Sequence, residues 1–450
     1  MNEPLLHRYG GSVPRYTSYP TAPHFHAGVG AADYRAWLGQ LRGDDRLSLY
    51  LHVPFCTSMC WYCGCHTKVV RQYQPIADYV ALLRAELDLT AAAIGARPRL
   101  SHVHFGGGTP NLIEAKDFLA LMDAIGRPFS LSDDAEVAVE IDPRSLDESM
   151  ARALARGGVT RASLGVQDFA PEVQAAINRV QPLETTARVV DWLRAAGIAA
   201  INFDLMYGLP GQTLDGIVAT VDRAVGLAPD RLALFGYAHV PWMKTHQRMI
   251  DEAALPDRTQ RYAQADAAAR RLVEHGYRMI GLDHFARATD SMARALDEGR
   301  LRRNFQGYTT DQANVLIGLG ASAIGMLPDG YVQNAVPFKS YGTAITQGVF
   351  AVNRGIRLSA EDRARRAVIE RLMCLLEADV VGVEREFGLP AGSLTEQASH
   401  ALEPMVRDGL ASVSEGRVRI TALGRPFMRS VCAAFDRYLG QGGVRHSQAV

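Results

Sequence analysis

The chain has 450 residues, 48% apolar and 21% charged, which is ordinary for a soluble globular enzyme of two or three domains or one large barrel. Lysine plus arginine equals aspartate plus glutamate, so the formal net charge is zero; neither nucleic-acid nor anionic-membrane binding is expected, though a local cationic pocket is allowed. The opening Met1-Asn2-Glu3-Pro4 lacks a basic stretch followed by an apolar one, so a cytoplasmic, reducing location is expected.

Residues 1–45 show no 3.6-residue period and are expected to form an irregular N-terminal arm. Its segment Pro14–Pro23 is rich in Pro and Tyr, and reads either as a surface tail adding little to a core or as an arm folded over an active site. An apolar strand follows at Leu47–Val53. Directly after it, Cys56-Thr57-Ser58-Met59-Cys60-Trp61-Tyr62-Cys63-Gly64-Cys65 places four of the six cysteines within ten residues. Cys56, Cys60 and Cys63 are spaced to reach three corners of one iron–sulfur cube, leaving a fourth iron open to chelate a small molecule. Cys65 lies two residues past Cys63, too close to complete the cube comfortably. A structural zinc site more often adds a second Cys or His pair further on, whereas Cys374 and Cys432 are single and distant.

Strand-like runs continue at His102–Phe105, Glu136–Ile141, Arg161–Val166, Ile198–Met206 and Arg231–Tyr237, with helical patterns between them at Ala77–Ile94, Lys116–Ile125, Thr185–Ala196 and Leu214–Leu227. Six such β-then-α units predict a parallel sheet covered by helices, an open partial (β/α) barrel of residues 46–355 whose active site sits at the C-terminal strand ends. A helix over residues 259–276 and a strand over Tyr277–Phe285 follow, and the uncharged run Gln312–Pro328 reads as turns around one short strand. Residues 356–450 form a mainly helical C-terminal domain with helices at Ala360–Leu376, Thr395–Asp408 and Gly424–Leu439 and a hairpin at Leu410–Ile420.

Polar motifs fall at successive strand ends. Gly106-Gly107-Gly108-Thr109-Pro110 follows the second strand, where glycines let backbone approach a ligand closely or simply form a tight turn. Glu140-Ile141-Asp142-Pro143 ends the third strand; a carboxylate there suits ribose hydroxyls, while Asp142 could equally cap a helix. Gln167-Asp168 ends the fourth, Arg179 follows on its helix, and Asp204 lies in the fifth. Each alone is weak, but core packing does not explain the set.

The C-x3-C-x2-C spacing after an apolar strand resembles the radical S-adenosylmethionine (SAM) superfamily. Longer motifs narrow the resemblance to the oxygen-independent coproporphyrinogen III oxidases: Tyr50–Phe55 before Cys56, Phe105–Pro110, Glu140–Arg144, Gly165–Phe169, Tyr207–Gly211, Tyr237–Pro241, Asp283–Arg287, Arg303–Tyr308 and the arm's Arg15–Pro20. It spans nearly the whole chain. The resemblance implies that Cys56, Cys60 and Cys63 hold a [4Fe–4S] cluster with one open iron. A first SAM would contact Tyr50, Tyr62, Gly107, Glu140 and Ile324, and a second SAM position would use Gly108, Thr109, Gln167, Arg179, Asp204 and Ala238. Cys65 would be needed for catalysis without ligating the cluster. Some family members have Phe where Tyr62 stands. The segment Trp242-Met243-Lys244 is left unassigned.

The implied reaction is cleavage of SAM to a 5′-deoxyadenosyl radical, hydrogen abstraction from a propionate β-carbon, then loss of CO2 and one electron to leave a vinyl group. Two propionates of coproporphyrinogen III would react, giving protoporphyrinogen IX. Expected partners are that substrate and a one-electron reductant such as a flavodoxin or ferredoxin, with no nucleic acid, no membrane and a monomeric state. Arg15, Arg161, Arg287 and Arg303 are candidates to meet the propionates. The related haem chaperones share the cluster loop and barrel, but they carry an aromatic residue at the place of Cys65 and lack the Arg-Tyr-Thr-Ser-Tyr-Pro arm. A radical SAM methyltransferase is a third reading, against which the Asn304–Tyr308 segment argues.

Overall fold

The computed structural model describes residues 3–441. Six parallel strands form its frame: β1 Arg46–Val53, β2 Arg99–Gly107, β3 Ser130–Ile141, β4 Arg161–Gln167, β5 Ala200–Tyr207 and β6 Arg231–Gly236. Helices Gln74–Ile94, Ala115–Gly126, Glu148–Arg156, Leu183–Ala195 and Leu214–Gly226 make the crossovers, and Arg258–Glu274 follows β6. Local chemistry starts several of them: Asp147 caps Glu148–Arg156 through the Met150 N–H at 2.8 Å, and Asp257 caps Arg258–Glu274 through the Gln260 N–H at 2.8 Å. β1 turns Leu47, Leu49, Leu51 and Val53 to one face, where they are fully buried in one core with helix residues such as Leu83 and Leu87, and the polar Ser48, Tyr50 and His52 to the other.

The sheet is wider than six strands. β7 Tyr277–Ile280, β8 His284–Arg287, β9 Val315–Leu319, β10 Ile324–Leu327, β11 Gly330–Asn334 and β12 Val352–Arg357 complete the order β12-β11-β10-β9-β1-β2-β3-β4-β5-β6-β8-β7. β9 runs parallel to β1, and the remaining additions are antiparallel edges. Two expectations are corrected here. Gln312–Pro328 holds two strands, because Gly320 (φ +102°) and Ser322 (φ +65°) turn the chain back on itself. Tyr277–Phe285 is no single strand: the chain reverses at Gly281, whose left-handed φ of +54° and missing Cβ make room for the Tyr308 ring.

A second core lies in the C-terminal part, where Ala360–Leu375, Val380–Glu386 and Ser393–Arg407 pack with a small sheet of Glu377–Asp379, Arg417–Ile420 and Ala411–Ser414. The predicted helix Gly424–Leu439 is instead a 3-10 turn at Arg425–Phe427 and a short helix Met428–Ala433. The chain then turns so that Phe435 is buried and Asp436 accepts hydrogen bonds from the Tyr16 hydroxyl (3.0 Å) and the Tyr438 N–H (2.9 Å).

Of the predicted irregular arm over residues 1–45, the described part from residue 3 is more ordered than expected. Helices span Glu3–Tyr9 and Ala31–Leu38, the second burying Tyr34, Trp37 and Leu38 against the barrel core. The Pro/Tyr segment is not a tail: Tyr16 and Tyr19 belong to the C-terminal core. Tyr19 is 1% exposed, meets Tyr438 edge-on and accepts the Arg437 N–H at 3.1 Å. Composition hid this, because the partners of these tyrosines lie some four hundred residues away. Tyr19→Ala is therefore expected to cost about 3–5 kcal/mol of stability, and Tyr19→Phe about 1 kcal/mol, in denaturant titrations followed by circular dichroism. A loss below 1 kcal/mol for the alanine variant would return the segment to the surface-tail reading.

Candidate active site

The cysteine loop starts where β1 ends. Its two legs pair as a short parallel ladder, Phe55–Cys56 with Lys68–Val69, so the loop is closed at its base. Within it the Cys63 N–H donates to Cys60 O at 3.2 Å, and the Trp61 N–H donates to Ile177 O at 3.0 Å. Donors point at the sulfurs: Thr109 Oγ1 lies 3.6 Å from Cys56 Sγ, Arg144 Nη2 3.5 Å and Arg179 Nη1 3.6 Å from Cys60 Sγ. A hydrogen bond from the Cys65 side chain, against burial and with help from the Cys65 N–H, draws Cys63 down to about 6. Cationic and hydroxyl donors aimed at sulfur favour thiolates, and three thiolates from one closed loop fit an anionic iron–sulfur cluster.

The glycine loop packs directly on the cysteine loop. The Gly108 N–H donates to Val53 O (2.9 Å) and the Thr109 N–H to Phe55 O (2.7 Å). A Cβ on Gly108 would lie 2.6 Å from Phe55 O, and one on Gly107 (φ +109°) would fall on the His52 ring. The close approach that these glycines permit is thus to protein groups.

Glu140 closes one side of the site. Its carboxylate accepts the Gly107 N–H at 2.9 Å and shares a hydrogen bond with His104 Nε2 at 3.2 Å. Burial pushes Glu140 up, but the His104 and Gly107 bonds outweigh it and hold the carboxyl below its ordinary range. Tyr50 stands beside it, its hydroxyl 2.9 Å from His52 Nδ1, and in register with Gly318 of β9. A Cβ on Gly318 would strike the backbone of Ile324, so Ile324 lies just across Gly318 from Tyr50. Tyr50, Gly107, Glu140 and Ile324 therefore form one group.

A second group surrounds Gly165 of β4. Arg179 donates to Gly165 O at 2.7 Å, Gln167 flanks the same residue, and Asp204 of β5 is its register partner. Gln167 sits in the left-handed region at φ +69°, its buried Oε1 lacks a hydrogen-bond partner, and so does Arg179 Nε. Orphaned polar atoms at a strand end fit a ligand such as SAM. Burial, then the charge of Glu140, pushes Asp204 up to about 7. Ala238, just past β6, is tied through Gln247 to the cysteine loop: this buried amide donates to Tyr62 O (3.0 Å) and Ala238 O (3.2 Å) and accepts the Val240 N–H (2.6 Å). Tyr62 itself packs beside Ile177 and Tyr237.

Some sequence readings change. Asp142 caps no helix: it accepts from Arg144 Nη2 at 2.7 Å and from Arg179 at 3.3 Å, and the Arg144 bond and the Arg179 charge together outweigh burial to hold it low. Asp168 is fully buried and structural, accepting from Gln212, Thr220 and the Ala170 N–H. Arg144, His104 and Gln247 were not singled out. Arg144 lay within a quoted motif, whereas Gln247 lies in a segment with no pattern of its own. Lys244 and His246 of that segment bond Cys65 O (2.9 Å) and Cys63 O (2.7 Å), so the unassigned stretch straps the cysteine loop.

A cavity of about 800 Å³ adjoins the site at Ala238, with Tyr207, Tyr237 and Trp242 in its wall. Arg15 and Arg303 line it, as do Arg261, Arg425 and Arg429. Arg161 does not: it pairs with Glu136 (2.8 Å) and Asp290 (3.4 Å). Arg287 donates to Pro229 O at 3.1 Å and is likewise outside the lining. No helix among the described residues is long and apolar enough to cross a membrane.

A family model described as the Radical SAM superfamily matches residues 50–224, and one described as the HemN C-terminal domain matches residues 358–427. The chain is 51% identical to the oxygen-independent coproporphyrinogen III oxidase of Bradyrhizobium diazoefficiens, over 100% of both chains. It is 41% identical to the protein of the same name from Pseudomonas aeruginosa, over 97% of this chain and 95% of that one. Among solved structures it is similar to the coproporphyrinogen III oxidase of Escherichia coli, described as a radical SAM enzyme, with a TM-score of 0.90, 38% identity and coverage of 94% of this chain and 98% of that one.

The Asp204 carboxyl gives a pH test. A folded value near 7 against an ordinary value near 4 means that the native state binds the proton more tightly, so this group makes stability fall as pH rises from about 4 to 7. Asp204→Asn is expected to flatten that fall and to raise stability at pH 7 relative to pH 4. Parallel slopes in the two proteins would place Asp204 in ordinary solvent.

Proposed function

Since the chain belongs to the oxygen-independent coproporphyrinogen III oxidase family of the radical SAM superfamily, we propose that it converts two propionate side chains of coproporphyrinogen III into vinyl groups, giving protoporphyrinogen IX. The observation that carries this reading is the arginine-lined cavity meeting the cysteine loop's strap at Ala238 and Trp242. A substrate with four carboxylates needs cationic partners, and the chain concentrates them in this cavity although its net charge is zero.

Cys56, Cys60 and Cys63 hold the [4Fe–4S] cluster, with Arg144, Arg179 and Thr109 stabilising the thiolates. When bound, cluster and SAM supply a one-electron cleavage that yields an organic radical able to take hydrogen from carbon. Tyr50, Gly107, Glu140 and Ile324 hold the first SAM, with the Tyr62 backbone closing its edge. Gly108, Thr109, Gln167, Arg179, Asp204 and Ala238 hold the second position. In both, a carboxyl group faces the cationic ligand: Glu140, kept ionised by His104 and Gly107, in the first, and Asp204, pushed up to about 7 by burial and Glu140 until a cation arrives, in the second. Cys65 is exposed beside Cys63 and serves catalysis without ligating the cluster. Arg15 and Arg303 neutralise propionates, while the aromatic wall of Tyr207 and Tyr237 excludes water from the reacting carbon. Each propionate gives up one hydrogen atom, one electron and CO2, so the reaction draws on a one-electron reductant of the flavodoxin or ferredoxin kind and on a one-electron acceptor.

Anaerobic turnover with SAM and a strong reductant tests the proposal. Protoporphyrinogen IX is the expected product, with about two SAM cleaved for each molecule, because each propionate needs its own hydrogen abstraction. Cys56→Ser, Cys60→Ser and Cys63→Ser should lose iron and the cluster's visible absorbance, and Cys65→Ser should keep both while losing turnover. Haem retention without decarboxylation by cluster-loaded protein would instead make this a chaperone, and a methylated product a methyltransferase.

A further inference from the structure

One group in the cavity is not accounted for by the fold. Arg261, in the first turn of Arg258–Glu274, turns its guanidinium toward Tyr207 and lies 5.8 Å from that ring's centroid. Gly208 (φ +80°) makes room for it, since a Cβ there would stand 2.6 Å from Nη1. Among the described residues the Arg261 guanidinium makes no hydrogen bond and no ion pair, and its buried Nε has no partner. The carboxylates lining the same cavity are already engaged. Asp266 pairs with Arg270 (3.0 Å), Glu274 with Arg271 (3.1 Å), and Asp283 with His284 (2.8 Å) and, more loosely, Arg303 (4.0 Å). The arginine whose charge acts on Arg261 is Arg15, which lines the same cavity and has one side-chain hydrogen bond, to Gly236 O at 3.3 Å.

We propose that Arg261, with Arg15 beside it, forms a carboxylate clamp that anchors a propionate which the reaction leaves in place. A half-buried guanidinium whose Nε has no partner carries an unmet desolvation cost, and a bound carboxylate removes it with two parallel hydrogen bonds. The choice of a retained propionate follows from the chemistry. A reacting carboxylate departs as neutral CO2, so a guanidinium holding it would stabilise the starting state more than the transition state. A retained carboxylate keeps its charge throughout, and the clamp then adds affinity and sets the macrocycle's orientation without raising the barrier. The inference rests on the oxidase reading of the preceding section.

Arg261→Gln and Arg261→Lys, compared with wild type as cluster-loaded protein under anaerobic conditions, test it. Iron content and SAM binding should be unchanged. For Arg261→Gln the KM for coproporphyrinogen III should rise about 10- to 100-fold with kcat within about twofold, the scale of a lost charged hydrogen-bonded pair. Arg261→Lys keeps the charge but loses the fork, and should show a smaller rise of at least about threefold. A binding measurement needs no turnover: wild type should hold the non-reacting coproporphyrin III more tightly than its tetramethyl ester, and Arg261→Gln should narrow that gap. An unchanged KM and an unchanged gap would overturn the clamp. A rise in kcat accompanying the rise in KM would place Arg261 on the reacting propionate and overturn the assignment to a retained one. Absence of vinyl product from wild type, with acid still preferred over ester, would defeat the oxidase reading and leave the clamp standing. Should Arg261→Gln fail to load its cluster, the lysine variant decides.

Discussion

Asp142 is the charge on which the arrangement turns. One carboxylate, 11% exposed, holds two guanidiniums, and both guanidiniums reach the same sulfur, Cys60. Two cations against one anion leave about one positive charge to meet a thiolate. If Asp142 were removed, Arg144 and Arg179 would face each other across Cys60 uncompensated, a situation worth several kcal/mol in a poorly hydrated pocket. Because Arg179 also bonds Gly165 O and stands beside Gln167, the same network fixes the second polar group of the site. Cysteine loop and strand ends are thus positioned by one set of charges.

The strap after β6 does for the loop's backbone what Asp142 does for its sulfur. Lys244, His246 and Gln247 bond the carbonyls of Cys65, Cys63 and Tyr62 in turn. Carbonyls on an irregular loop would otherwise need water, and water at this position would compete with a radical reaction. Gln247 spends its remaining capacity on Ala238 and Val240, which border the cavity. A shift of the cavity wall is therefore felt at the loop.

What was legible in the sequence was local. The six parallel strands show as short β-like runs alternating with helical patterns, and the cysteine spacing needs no tertiary knowledge. The strands added beyond these six were harder: β9 and β10 are short and separated by a glycine turn, so their period is too brief to read. Tyr16 and Tyr19 look like residues of a flexible arm until Asp436 and Arg437 arrive to receive them. Arg261 gives no signal at all. It is one arginine among several on a helix, and only the absence of a partner in three dimensions distinguishes it. Arg161 shows the converse, since a strand arginine that looked available is consumed by Glu136 and Asp290.

The burial of the arm also explains how the cavity is built. Its wall comes from β5 and β6, from the helix Arg258–Glu274, from Ser12 and Arg15 of the arm, and from Arg425 and Arg429 near the C-terminus. Arg429 bonds the carbonyls of Val13 and Pro14, and Arg303 bonds the carbonyl of Arg15. Cationic side chains that line the cavity thus also hold the segment that brings in another of them. Guanidiniums crowded this closely repel one another, and burial together with Arg15 and Arg303 lowers Arg429 to about 10. Backbone carbonyls offset part of that repulsion, and a polyanionic ligand would offset more. The second core and the arm therefore serve the barrel's chemistry by adding Arg15, Arg425 and Arg429 to the Arg261 and Arg303 that the barrel part brings to the pocket.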